Sequence, residues 1–503
     1  MNARKLARLI HPEFRFGTTD PAQALKLVNL GVGGFCFYGG TAREVFETVR
    51  TLKAASQTPL IISADYENGA GHWLQDATEL PTNMAVGASG SEAVARRKGE
   101  ITGAEARALG VDWVFAPVVD LAVNPANPIV NLRAYGSDPA LVSALASAYI
   151  SGLRSRNAIS CLKHFPGHGS TSVDSHLVLP VLERTLAELE SSELKPYRAL
   201  LGQADSVMVG HLQIPALDPE NPASLSREVI TGLLRGSLKY GGCVITDGLN
   251  MKAVSADNTA GLKALLAGAD ILLVPDDAMQ LYGILCRAAA EGELSEAAVN
   301  AALARQDALV KKLSAGAMEP RDFSLVGCAE HRAFVREAAP GCLAWAFKNK
   351  PFELKAGETV AYLEPLTPRA EWKGRAFAEE LCRLGVRVTP FERGAAGKII
   401  IGSFSRPRAF SGDINLNRDA VSEIENALSG GGTALMAAFG SPFVFDGFHR
   451  RLAAGLCAFC GLEDFQRTAA AVLTGGAAAP GAMPVDLKLV FTGGSDHERN
   501  SCS

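Results

Sequence analysis

The chain has 503 residues, of which 48% are apolar and 20% charged. That balance is globular and excludes a disordered chain. Lys plus Arg number 49 against 53 Asp plus Glu, a formal charge of −4, so no basic excess points to nucleic acid or to an anionic membrane. At roughly 150 residues per domain the length admits three domains, but a single barrel reaches about 250, so two are equally open.

The N-terminal stretch MNARKLARLIHPEFRFG carries basic residues without a long apolar core, and His11, Pro12 and Glu13 arrive too early for a signal peptide. No apolar run reaches the roughly 20 residues needed to cross a bilayer. Within this stretch RLIHPEFRFG is a poor strand. Apolar runs then recur at 31–39, 59–65, 111–120, 158–164, 206–211, 241–247 and 270–275. They are rich in Val, Ile, Phe and Leu and do not alternate with polar residues, the pattern of parallel strands covered on both faces. Amphipathic helical stretches separate them. ERTLAELESSELKPYRALL (183–201) opens on a capping box, Thr185 with Glu188. The alternation predicts either a (β/α)8 barrel with one weak N-terminal strand or an open doubly wound sheet, and the barrel is preferred.

The segment 316–357 reads as a linker, AGAMEPRDFS, and then a connecting helix interrupted at Pro340-Gly341. A second α/β pattern follows, with strands expected at 358–364, 398–404, 433–440 and 455–461. The domains are therefore expected at 1–315 and 358–503, and the polar tail FTGGSDHERNSCS is expected to fray. The chain has ten cysteines, several of them in apolar runs. This suits buried thiols in a reducing, cytoplasmic setting rather than a disulfide framework. Cys457-Ala-Phe-Cys460 has CxxC spacing but lies in an apolar segment and reads as core.

Ionisable residues gather at the ends of the buried runs: Asp65, Asp120, Lys163 with His164, His211 and Asp247. One Asp at a strand end is commonly the cap of the next helix. In a parallel barrel, however, all these ends open on one mouth, where the active site is built. The segment Lys163-His164-Phe165-Pro166-Gly167-His168-Gly169-Ser170-Thr171-Ser172-Val173-Asp174-Ser175-His176 leaves such a strand as a loop. It admits a zinc-like reading from His164, His168, Asp174 and His176. That spacing aligns imidazoles on a helix, which Pro166, Gly167 and Gly169 prevent. The preferred reading is acid/base chemistry, with Asp174 fixing the tautomer of His176. Asp247, in VITDGLN, can attack an anomeric carbon. Arg133, in NLRAYG, can hold substrate hydroxyls or a carboxylate through its fork of donors.

These segments resemble glycoside hydrolase family 3, in its β-N-acetylhexosaminidase (β-N-acetylglucosaminidase) branch. KHFPGHGSTSVDSH is the most specific match. FAPVVDLAVNPANPIVNLRAYGSDP, ASLSREVITGLLRGSLKYGGCVITDGLNMKAV and SADYENG agree in order and spacing. The resemblance implies a TIM-like barrel followed by a smaller α/β sandwich domain. It implies retaining hydrolysis of terminal β-linked N-acetylglucosamine, with Asp247 as nucleophile, His176 as acid/base and Asp174 as its partner. Asp65, Arg133, Lys163 and His164 would hold the sugar. The implied substrate is a small oligosaccharide or muropeptide met in peptidoglycan recycling, with no metal or organic cofactor and no nucleic-acid or membrane partner. Because the acid lies on a barrel loop, the β-glucosidase branch, whose acid comes from the second domain, fits less well. Two departures stand out: Asn68-Gly69 follows Glu67 where the family often has two glycines, and Gly248 follows Asp247 where it often has a second Asp. A phosphorylase on the same scaffold and a non-catalytic sugar-binding barrel are the alternatives.

Overall fold

The computed structural model of the chain describes residues 2–175, 177–255, 259–315, 322–366, 373–407 and 416–487. It divides into two compact units, the first running to Cys342 and the second beginning at Leu343. Both are α/β with parallel pairing dominant.

In the first unit the strands are β1 (Ile10–His11), β2 (Glu13–Arg15), β3 (Gly34–Tyr38), β4 (Ile61–Ala64), β5 (Trp113–Val114), β6 (Cys161–Phe165), β7 (Ser206–Val209), β8 (Cys243–Thr246) and β9 (Leu272–Leu273). Each of β3 to β9 coincides with one of the seven apolar runs, β6 passing the end of its run by one residue, Phe165. The weak N-terminal element is the pair β1 and β2, interrupted at Pro12, which has no N–H to give to a ladder. Its carbonyl still accepts from the Cys36 N–H at 2.9 Å. Parallel pairing links β2, β3, β4 and β5 in one run and β6, β7 and β8 in another. Parallel bridges of Trp113 with Ile159 and of Val118 with Lys163 join these runs, and Ile245 bridges to Ile271 beside β9. β1 pairs in parallel with β9. Strands β4, β6, β7 and β8 are buried along their whole length, as unalternating apolar runs require.

The capping box at Thr185 and Glu188 is present. The single helix expected over 183–201 is instead two, Leu186–Ser191 and Leu194–Leu200, broken at Ser192. The break carries the buried Glu193 inward against the loop after β6. A Cβ on Gly167, whose φ is +134°, would lie 2.7 Å from Glu193 Cβ, so this approach needs glycine on the loop side.

In the second unit the strands are β10 (Ala344–Lys348), β11 (Thr359–Leu363), β12 (Arg387–Pro390), β13 (Lys398–Ser403), β14 (Thr433–Ala438) and β15 (Ala454–Cys457). They form one sheet in the order β10-β15-β14-β13-β11-β12, with β10 alone antiparallel to its neighbour. Two differences from the sequence reading lie at the sheet's edges. The helix before the second unit continues through Pro340 and ends at Cys342. The following residues, read as more helix, form edge strand β10. The other edge, β12, is short and largely exposed, so it leaves no apolar run to be read.

Candidate active site

The site is built from residues just beyond the strand C-termini. Asp65 follows β4, Lys163 and His164 lie on β6, and Arg133 ends a short 3-10 turn, Asn131–Arg133. The fold joins these four residues through Glu67. Lys163 Nζ donates to Asp65 Oδ1 at 2.6 Å and to Glu67 Oε1 at 2.7 Å. Arg133 closes a two-pronged contact on the same carboxylate, Nε to Oε2 at 2.9 Å and Nη2 to Oε1 at 2.7 Å. Such a fork fixes orientation as well as charge. Burial pushes the Glu67 carboxyl up, but Arg133 and Lys163 outweigh it and hold the group well below the ordinary carboxylate range. Burial likewise works against the Lys163 charge, and Asp65 and Glu67 more than restore it.

His164 continues the network. Its Nδ1 lies 2.7 Å from Asp120 Oδ2, and its Nε2 lies 3.3 Å from Arg133 Nη2. A carboxylate only accepts and a guanidinium only donates. The ring is therefore protonated on Nδ1 and presents a lone pair at Nε2 on the Arg133 side. Asp120 is fully buried and also accepts from the main-chain N–H of His164 at 3.2 Å and of His168 at 2.7 Å. Its carboxyl is raised by burial but lowered further by His164 and His168, with a net shift downward.

Two more histidines hold the loops. The His168 ring lies between hydroxyls, with Thr171 Oγ1 2.8 Å from Nδ1 and Ser175 Oγ 3.2 Å from Nε2. Burial pushes its pKa down to about 4 despite Asp120, so it is a neutral tether. The His211 ring spans Ser224 Oγ at 2.6 Å and the Gly248 carbonyl at 2.9 Å. Since a carbonyl only accepts, His211 Nε2 carries the proton. This fixes the backbone beside Asp247.

Asp247 directly follows β8. Its N–H donates to the Val209 carbonyl at 3.0 Å, and its Oδ1 accepts from the Gly248 N–H at 2.8 Å. Asp174 is buried on the loop after β6, and its carbonyl accepts the N–H groups of Leu177 and Val178. His176 lies outside the described residues. Sequence reasoning left several neighbours without a role. Glu67 sits in the quoted SADYENG motif, and Asp120 and His211 were noted as strand ends. Tyr38 and Trp73, which bond Asp65 through its Oδ2 at 3.2 Å and its carbonyl at 2.9 Å, carry no periodic signal.

The departure at Asn68 has a structural use. Asn68 Oδ1 accepts from Lys98 Nζ at 3.1 Å, and Asn83 Oδ1 accepts from the same fully buried ammonium at 2.5 Å. At the opposite ends of the strands lies a cavity of about 510 Å³, lined in part by Asp205, Arg305 and Lys312. Two of its cations are tied up in pairs, Lys312 with Asp205 at 2.7 Å and Arg305 with Asp270 at 2.8 Å.

The model of the glycosyl hydrolase family 3 N-terminal domain matches residues 3–308. A β-N-acetylglucosaminidase/β-glucosidase of Cellulomonas fimi is 33% identical over 343 residues, covering 64% of this chain and 60% of that protein. This chain thus spans less than two thirds of that relative's length. The β-hexosaminidase LpqI of Mycobacterium tuberculosis is 35% identical over 320 residues, covering 60% of this chain and 80% of its own. Among solved structures, a family 3 β-N-acetylglucosaminidase from Paenibacillus sp. str. FPU-7 superposes with a TM-score of 0.84 at 27% identity, covering 98% of this chain and 100% of that one.

Proposed function

The chain belongs to glycoside hydrolase family 3, and we propose that it is a retaining β-N-acetylhexosaminidase. It releases terminal β-linked N-acetylglucosamine from cell-wall (muropeptide) fragments, working in the cytoplasm on a TIM-like barrel. The observation that carries this reading is the network of Asp65, Lys163, Glu67, Arg133, His164 and Asp120 at the strand ends from which Asp247 also emerges. The names of the relatives support the sugar. The pairing of β1 with β9 and of β2 with β3 supports closure of the barrel. Among the described residues no helix is long and apolar enough to cross a membrane.

The chemistry follows from the residues. Asp65 and Lys163 offer an acceptor and a donor side by side to vicinal hydroxyls, and Arg133 and His164 Nε2 repeat that pairing. Binding spent on these groups fixes the sugar's anomeric carbon against the nucleophile. Asp247 attacks that carbon, the glycosidic C–O bond breaks, and His176 gives its proton to the departing oxygen. Asp174 orients the imidazole. His176 then takes a proton from water as the water displaces Asp247. If His176 is the acid, His176→Ala loses far more rate on glycosides with poor leaving groups than on activated aryl glycosides. Equal losses on both would overturn the assignment.

Phosphorolysis is the second reading. An acid that becomes neutral imidazole lacks the repulsion of roughly 4 kcal/mol that a second carboxylate imposes on an anion at about 4 Å and an effective dielectric near 20. Against it, Lys163 and Arg133 have their charge balanced by Asp65 and Glu67 and their remaining donors taken by the sugar's hydroxyls in this reading, so neither is left over to hold phosphate. Hydrolysis is therefore favoured. Sugar-1-phosphate formed only when phosphate is added would reverse that preference.

A further inference from the structure

We infer that Trp73, backed by Tyr38, is a stacking platform for the sugar ring that Asp65 holds. This inference rests on the glycosidase reading above. Three observations carry it. First, Asp65 is the outward carboxylate of the ionic network: its side chain is 25% exposed, against 10% for Glu67. Second, two aromatic residues grip that one aspartate. The Trp73 indole N–H donates to the Asp65 carbonyl at 2.9 Å, and the Tyr38 hydroxyl donates to Asp65 Oδ2 at 3.2 Å. Third, the two rings meet edge to face at 5.1 Å, while the Arg15 guanidinium lies 4.4 Å over the Tyr38 ring and His72 packs 5.6 Å from Trp73. Trp73 is nevertheless only half-buried.

The local chain is built to deliver this indole. Gly69 has φ +77°, and a Cβ on Gly71 would lie 2.1 Å from the Glu79 N atom, so the turn before Trp73 closes only with glycines. A pyranoside carries hydroxyls at its rim and C–H bonds on its faces. A carboxylate for the rim beside an indole for the face matches both parts of that amphipathic shape. The ligand class is therefore a pyranose with equatorial hydroxyls, and Trp73 is a specificity-determining residue rather than a catalytic one.

The chain's four tryptophans make this measurable. Trp113 is fully buried and Trp345 belongs to the second unit. Free N-acetylglucosamine should change the tryptophan fluorescence of the full chain, and Trp73→Phe, which keeps an aromatic face but gives up the N–H to Asp65, should abolish that change while raising KM on an aryl N-acetyl-β-glucosaminide less than Trp73→Ala does. Trp73→Ala should raise KM and the sugar's inhibition constant about tenfold, with a smaller effect on kcat. Equal KM for wild type, Trp73→Phe and Trp73→Ala, or a fluorescence change that survives in Trp73→Phe, would overturn the inference. If the wild type hydrolysed no aryl glycoside while the Trp73-dependent fluorescence change persisted, the platform would stand and the hydrolase reading would fall.

Discussion

His168 Nε2 lies 3.2 Å from Ser175 Oγ, so a buried imidazole tethers the residue between Asp174 and position 176. The other ring nitrogen is taken by Thr171 Oγ1 at 2.8 Å. Asn127 Nδ2 in turn donates to Thr171 Oγ1 at 3.1 Å. The histidine that the zinc-like reading would make a ligand is thus a mooring for the loop that carries the proposed acid/base pair. His168→Ala should leave the fold intact and lower kcat by about 10²-fold, the scale of an ångström's misplacement of a catalytic group. Kinetics on an activated aryl glycoside, where acid assistance matters least, should show a much smaller loss. A uniform loss across substrates would count against the tether.

Asp120 gathers three donors, two from His164 on β6 and one from His168 on the loop after it, and fixes the His164 tautomer. Asp120→Asn keeps the volume but gives up half the acceptors. It should raise KM, and should cut kcat/KM by roughly 10²-fold. Retention of full kcat/KM in a correctly folded variant would show that His164 is oriented by something else.

Glu67 is the shared counter-ion of two cations. Glu67→Gln leaves Lys163 and Arg133 a charge short in a buried setting, which costs about 3–5 kcal/mol when a buried pair is broken. Denaturant unfolding should report that loss. A change below about 1 kcal/mol would place Glu67 among the weak surface-type pairs.

Acid should weaken the native state in a defined direction. Burial holds His168 near a pKa of about 4, and burial together with Arg8 holds His11 near about 3. Both are bases with native pKa values below the unfolded value of about 6.5. Below that value the unfolded chain takes up protons that the native chain refuses, so stability falls as pH drops from about 6.5 and levels off only near the native pKa values. Each histidine contributes a slope of roughly 1.4 kcal/mol per pH unit in that range. Glu67 and Asp120 add to it at lower pH, because their depressed pKa values stabilise the fold only while they are ionised. Unfolding free energies measured from pH 7 to 4.5 should slope downward, and His11→Gln should flatten the slope. A slope unchanged in that variant would contradict the burial argument.

Much of this architecture was legible because buried parallel strands leave unalternating apolar runs, and β3 to β9 each coincide with one to within a residue. Asp65, Lys163 and His164 were legible as strand ends, and Arg133 was legible within its motif. Their joining by Glu67 was not. A carboxylate two residues past Asp65 has no periodic mark, and only three-dimensional closure brings Arg133 to it. Trp73 was hidden for the same reason, lying in a glycine turn without periodicity. The edge strands β10 and β12 escaped because an edge is partly exposed and, for β10, follows directly on a helix whose amphipathic pattern runs into it. The helix break at Ser192 was hidden by good helical propensity on both sides; the cause is tertiary, the burial of Glu193 against Gly167.

If Asp247 forms the covalent bond to the sugar, that bond can be trapped and located by labelling. The chain would be treated with a fluorinated glycoside inactivator, either a 2-fluoro sugar or a 5-fluoro sugar retaining the 2-acetamido group. Peptides would then be mapped by mass. One sugar mass on the peptide containing Asp247, lost in Asp247→Asn, is the predicted result. Stoichiometric label on any other residue would contradict the account.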